Sequence, residues 1–204
     1  MFAWYSRLLA GLRMSEGLPL LLLRLYLTPV LLQAGWNKYL HFADTVAWFG
    51  NTEWGLGLPF PTLLAALAIA AEIGGSLLLL FGLLTRLAAF SLAITMLVAM
   101  VTVHAKNGWL AIADASSWLA DGTILHSERI LAAPEKLQRA RDLLQEHGNY
   151  DWLTESGNLV VLNNGIEFAA TYFIMLLCLV WFGGGRYLSL DYYLDRYLQR
   201  KSRR

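Results

Sequence analysis

Four stretches of this chain are apolar for about the thickness of a bilayer, and that constrains everything else. They cover residues 18–39, 60–82, 87–103 and 159–182. A spanning helix needs about 20 mostly apolar residues, because each residue rises about 1.5 Å through a core about 30 Å thick. Membrane strands would alternate over about ten residues instead, and these runs do not alternate. The composition agrees. Of 204 residues, 57% are hydrophobic and 15% charged, with a mean hydropathy of +0.47, whereas soluble domains carry roughly a quarter charged residues. The expected fold is all-α, an integral membrane four-helix bundle in one domain over residues 1–204. A long outer loop over residues 107–158 would contain an amphipathic helix.

Charge placement sets the orientation. Bases gather at the N-terminus (Arg7, Arg13), in the turn at Arg86, and in the C-terminal segment (Arg186, Arg196, Arg200, Lys201, Arg203, Arg204). The 107–158 loop has four bases against eight acids. The positive-inside rule then puts both termini in the cytoplasm of a multi-pass inner-membrane protein, with the lipid bilayer as its main partner. Within the loop, APEKLQRARDLLQEHG reads as a helix, with Pro134 in its first turn, Gly148 at its end and Glu135–Arg139 as an i,i+4 pair. The N-terminal segment lacks a cleavage pattern and reads as an uncleaved first helix. A net charge of +1 and the lack of any phosphate-binding loop give no support for nucleic acid. The single cysteine, Cys178, excludes a dithiol relay within the chain.

The polar residues inside the runs carry the functional question. Arg24, Thr28, Gly35 and Lys38 share one helical face of the first run, and Glu72, Gly75 and Ser76 one face of the second. Asn164, Glu167, Thr171 and Cys178 share a face of the fourth. A charge at mid-bilayer costs about 2.5–3.5 kcal/mol on insertion scales, so these groups are expected to converge. Depth arithmetic places Arg24 and Glu72 near one level and predicts that they pair. Glu167 would complete the network with Lys38 or through Asn164. Arg24, Glu72, Glu167, His104 and Lys38 are therefore the candidate catalytic set, for proton movement or polar-ligand binding; a purely structural clasp is the plainer alternative. Met96, Met100 and His104, spaced i, i+4, i+8, form a soft donor set suited to copper(I), although membrane methionines more often fill gaps.

The segments LLLRLYLTPVLLQAGWNKYLHF, AEIGGSLLLLFGLLTRLAA, MLVAMVTVH and GGGRYLSLD resemble the DoxX family of small four-helix membrane proteins, in order over residues 18–191. FADTVAWFGNTEWGLGLPFP and EHGNYDWLTESGNLVVLNNGIEFAATYF resemble its HvfX branch, which is associated with maturation of copper-binding, ribosomally made, modified peptides. The resemblance implies a redox-linked accessory role beside a soluble iron-dependent peptide-modifying enzyme, with quinone as electron acceptor. It leaves two alternatives open. One is a non-catalytic module that binds or exports the peptide or its copper. The other is the membrane subunit of a thiosulfate:quinone oxidoreductase, as some relatives are. A third reading makes the chain a membrane anchor that recruits a soluble enzyme through its basic tail.

Overall fold

The computed structural model describes residues 4, 5, 11, 15–120 and 127–202. Arg7, Arg13, His126, Arg203 and Arg204 lie outside the described residues. The fold is helical throughout, with no strand among the described residues and one isolated antiparallel bridge, Ile112 to Leu162. Three helices are long and apolar enough to cross a membrane: Gly17–Leu40, Pro61–Phe81 and Thr85–Asn107. They match the first three apolar runs to within a few residues. We label Gly17–Leu40 α1, the short helix Phe42–Gly50 α2 and Pro61–Phe81 α3. The third long helix is not uniform. Its α-helical part, α4, covers Thr85–Ala99, and a π-helical segment Met100–His104 and a 3-10 turn Ala105–Asn107 follow.

The fourth run departs from expectation. Its helix is Glu167–Phe182, 16 residues long, rising about 24 Å and so short of a full hydrocarbon core. Residues 159–166 are not helical, because their backbone pairs elsewhere. The amides of Asn163 and Asn164 donate to the Ala111 carbonyl, Gly165 to Leu110 and Ile166 to Gly108. Asn-Asn-Gly at 163–165 is a turn signal inside an apolar sequence, and it breaks the run there. Between these segments lie α5 (Glu128–Leu131), α6 (Ala133–His147) and α7 (Tyr150–Thr154). Glu167–Phe182 is α8, and Leu190–Ser202 is α9. Helix α6 starts with proline in its first turn and ends before Gly148, as its sequence predicts. Its i,i+4 bond runs from Gln138 to Asp142 at 2.8 Å rather than between Glu135 and Arg139.

The chain divides into two compact units. The first comprises Met1–Met96 and Tyr172–Arg204. Its core joins Leu27 and Leu31 of α1, Leu79 of α3, Ala88, Leu92 and Met96 of α4, and Leu176 and Leu179 of α8. The larger apolar residues on the outer faces, such as Leu22, Leu67, Phe90 and Ile174, are exposed, the arrangement expected where lipid is the solvent. The second unit, Leu97–Thr171, has a small core of Leu110, Ala120 and Ile130.

Two glycines fix the helix ends and contacts of the first unit. Gly82 follows α3 with φ +65°, a left-handed conformation that suits glycine. A Cβ there would also stand 2.6 Å from Arg24 Nη1 and 2.6 Å from Ser189 Cβ. Gly35 lets α1 touch α3, since a Cβ would lie 2.7 Å from Glu72 Cβ and 3.1 Å from the Ile73 amide nitrogen. Gly82→Ala is expected to lower the melting temperature in detergent, since left-handed backbone costs an alanine roughly 1–2 kcal/mol even before the clash. Gly74→Ala, whose added Cβ would meet nothing within 4 Å, should be neutral or stabilising by up to about 1 kcal/mol. Equal melting of the two variants would refute this assignment.

Candidate functional site

Lys38 and Glu72 form the one ion pair between spanning helices among the described residues. Lys38 Nζ donates to Glu72 Oε2 at 2.7 Å and to Oε1 at 2.9 Å. The geometry follows from helix construction. Gly35 sets α1 against Glu72, and Lys38 sits three residues further along the same face. Side chains on a helix lean toward its N-terminus, so the Lys38 stem runs back down α1 and delivers its ammonium to the carboxylate. The Glu72 side chain is 4% exposed and that of Lys38 27%. The pair therefore joins a buried carboxylate to a part-exposed lysine side chain. One turn beyond Glu72 on α3, Ser76 Oγ is buried with no hydrogen-bond partner among the described residues, as is Thr85 Oγ1.

The expected Arg24–Glu72 pair does not form. Gly35, not Arg24, lies opposite Glu72, and the eleven residues from Arg24 to Gly35 separate the two levels by about 16 Å. The outer ends of the two helices are not level: with Gly35 against Glu72, Pro61 stands about 16 Å beyond that level and Leu40 only about 8 Å. Arg24, 1% exposed, bonds to carbonyls instead. Nε donates to Leu79 at 2.8 Å and Nη2 to Leu80 at 3.2 Å. Nη1 donates to Gly184 at 2.5 Å and to Leu188 at 3.1 Å. Leu79 and Leu80 lie in the last turn of α3, where carbonyls lack intrahelical partners and the helix dipole is negative. Arg24 is thus a C-terminal cap reaching in from another helix. Thr28 Oγ1, one turn on, donates to the Arg24 carbonyl at 2.7 Å.

Asp191 makes the matching contact at the next helix start. Its carboxylate accepts from the amides of Leu84 at 2.7 Å and Thr85 at 2.8 Å, capping α4. Its own amide donates to the Gly82 carbonyl. Arg186, in the same GGGRYLSLD segment, meets Glu16 at 3.2 Å. That hydrogen bond raises the Arg186 pKa above its ordinary value; at an exposed pair this adds little stability.

In the second unit, His104 Nδ1 lies 3.0 Å from the Asn164 carbonyl oxygen. A carbonyl can only accept, so Nδ1 is the donor in this contact. The same oxygen accepts from Asn107 Nδ2 at 3.0 Å, and Arg129 Nη1 donates to Asn107 Oδ1 at 2.6 Å. Asn163, nearly fully buried, donates to the carbonyls of Asn107 and Leu110. Asn164 has φ +59°, a conformation that asparagine tolerates better than most residues. Glu167 joins neither Lys38 nor the Asn164 side chain; its Oε2 accepts from the Ala111 amide at 2.8 Å. Met96 packs into the apolar core of the first unit. Met100 and His104 are the first and last residues of the π segment, whose bonding is i→i+5. Among the described residues, no group of three or more His, Cys, Asp or Glu side chains clusters as a metal site. Asn107, Arg129, Asn163 and Asp191 were not singled out by sequence reasoning. The Asn-Asn-Gly turn was the signal for Asn163.

Residues 19–105 match the DoxX family. That segment holds Arg24, Lys38, Glu72 and His104, while Glu167 and the Gly184 and Leu188 acceptors of Arg24 lie beyond it. The chain is also similar to an uncharacterized protein of Haemophilus influenzae, 31% identical over 99 residues. That match covers 47% of this chain and 63% of the relative, so it spans less than two thirds of the relative's length. No solved structure matches the chain. The DoxX segment is thus the part that builds the Lys38–Glu72 pair and places Arg24.

Removing Lys38 alone leaves a sealed carboxylate without its counter-charge, a loss of about 3–5 kcal/mol for buried pairs. Lys38→Ala should therefore lower thermal stability in detergent more than Lys38→Met with Glu72→Leu does. A double-mutant cycle on the alanine variants should show coupling above about 0.5 kcal/mol. Additive losses would mean that the pair contributes no interaction.

Proposed function

We propose that the chain is a DoxX-type, redox-linked accessory of the bacterial inner membrane, with four crossings and both termini cytoplasmic. In this reading it is an HvfX-like protein that serves maturation of copper-binding modified peptides. It passes electrons from a soluble peptide-modifying enzyme to quinone. The observation that carries the reading is the Lys38–Glu72 pair, with its carboxylate buried and the lysine side chain part-exposed. Intramembrane ionisable groups of this kind mark proton or ligand sites.

Reduction of a quinone takes two electrons, here from the modifying enzyme, and two protons. The Lys38 ammonium is the group that would hydrogen-bond a ring oxygen as it gains negative charge and hand it a proton. Glu72 holds that ammonium in position through two hydrogen bonds. The second proton comes from water on the accessible side, and Ser76 Oγ is a spare hydroxyl one turn along the same face of α3. Glu72→Gln is expected to abolish quinone consumption in proteoliposomes supplied with the modifying enzyme and its peptide, with membrane insertion unchanged. Turnover at the wild-type rate would discard this mechanism.

A second reading rests on His104. With Nδ1 committed to the Asn164 carbonyl, Nε2 of the neutral ring presents the lone pair that a soft metal takes, and a bonded partner ring nitrogen is how metal-binding histidines are oriented. Met100 lies one turn earlier in the π segment. On this reading the chain holds copper(I) without turnover. Copper(I) titration of the purified protein should then reach one equivalent in wild type and fail in His104→Ala; identical titrations would remove it.

A further inference from the structure

Helix α9 is amphipathic in the opposite sense to a helix packed on protein. At about 100° per residue, Leu190, Tyr193, Leu194, Tyr197 and Leu198 fall within one arc about 140° wide. All five are exposed, Tyr197 at 65% and Leu198 at 59%. Most of its protein contacts are on other faces, although the Tyr193 hydroxyl, at the edge of the arc, donates to the Tyr187 carbonyl at 3.0 Å. The Asp191 carboxylate holds the Leu84 and Thr85 amides, and the Tyr192 ring lies 4.9 Å from that of Tyr187. A helix that turns polar residues to its own protein and leucines outward needs an apolar medium on that outer side.

Three observations say which medium. Asp191 ties α9 to Gly82 and Thr85, the turn joining two membrane-length helices, so α9 starts where those helices end. Phe81, Leu84 and Phe182, at the same helix ends, are themselves exposed. Finally, Arg196 and Arg200 border the arc on its Tyr193 side, and Lys201 closes its end, while Asp191 and Asp195 fall on the opposite border. Tyrosine rings suit the headgroup level, and long basic side chains reach from an apolar bed to charged headgroups. A protein partner would have to bury Lys201 within its apolar contact; a lipid surface lets it extend to water.

We propose that α9 lies in the plane of the bilayer surface, with this arc in the headgroup–acyl boundary, and binds anionic phospholipid through Arg196, Arg200 and Lys201. The test uses the full chain with Cys178→Ser, carrying one spin-labelled cysteine at Leu198 or at Gln199. Cys178→Ala replaces that background if the serine variant does not insert. The protein is reconstituted in phosphatidylglycerol–phosphatidylethanolamine vesicles and in phosphatidylcholine vesicles. The Leu198→Cys label should collide severalfold more with oxygen than with a water-soluble nickel chelate, and the Gln199→Cys label should show the reverse. The contrast should shrink in phosphatidylcholine and with Arg200→Gln plus Lys201→Gln. Nickel access at both positions would mean that α9 stands in water and would overturn the proposal. So would a Leu198→Cys label shielded from both reagents, which would mean that a protein surface or a second copy covers the arc. An oxygen preference unchanged in phosphatidylcholine would overturn the anionic-lipid assignment.

Discussion

A charge that cannot reach water must find its partners in protein, and the first unit is arranged around that demand. Arg24 meets it with carbonyls alone: the open end of α3 and the loop before α9 supply four acceptors. The arrangement resolves two costs together. Helix ends carry unpaired carbonyls, which lipid cannot hydrate, and the guanidinium has five donors in a fixed fork. Each satisfies the other. Asp191 is the mirror case, a carboxylate on the unpaired amides at the start of α4. The tight turn between α3 and α4 is therefore held from both sides by charges of opposite sign.

This arrangement also separates structural charge from chemical charge. Arg24 is 1% exposed and makes four hydrogen bonds to backbone carbonyls. Lys38 and Glu72 join a part-exposed lysine side chain to a buried carboxylate across two helices.

The periodic parts of the fold were legible in the sequence. The first three runs became helices near their expected ends, because apolar length and the lack of alternation leave few other outcomes. Helix α6 was legible from its proline and glycine punctuation. The start of α8 was not, because an apolar run conceals the turn at Asn163–Gly165. The pairing of charges was also out of reach. It depends on the offset between two helices, and a shift of eleven residues exchanges Arg24 for Gly35 at the level of Glu72. The Gly35–Lys38 spacing held the clue, since a glycine marks where backbones can touch. The role of GGGRYLSLD as acceptor and cap became visible only once its distant partners were in place.

The order in which the ribosome makes these pieces now matters. Arg24 emerges early, in α1, but Gly184 and Leu188 are made 160 or more residues later. Until then only the Leu79 and Leu80 carbonyls, made with α3, can accept from it. A chain halted before residue 184 would lack both Nη1 acceptors, so the burial of Arg24 is completed only by the last tenth of the sequence.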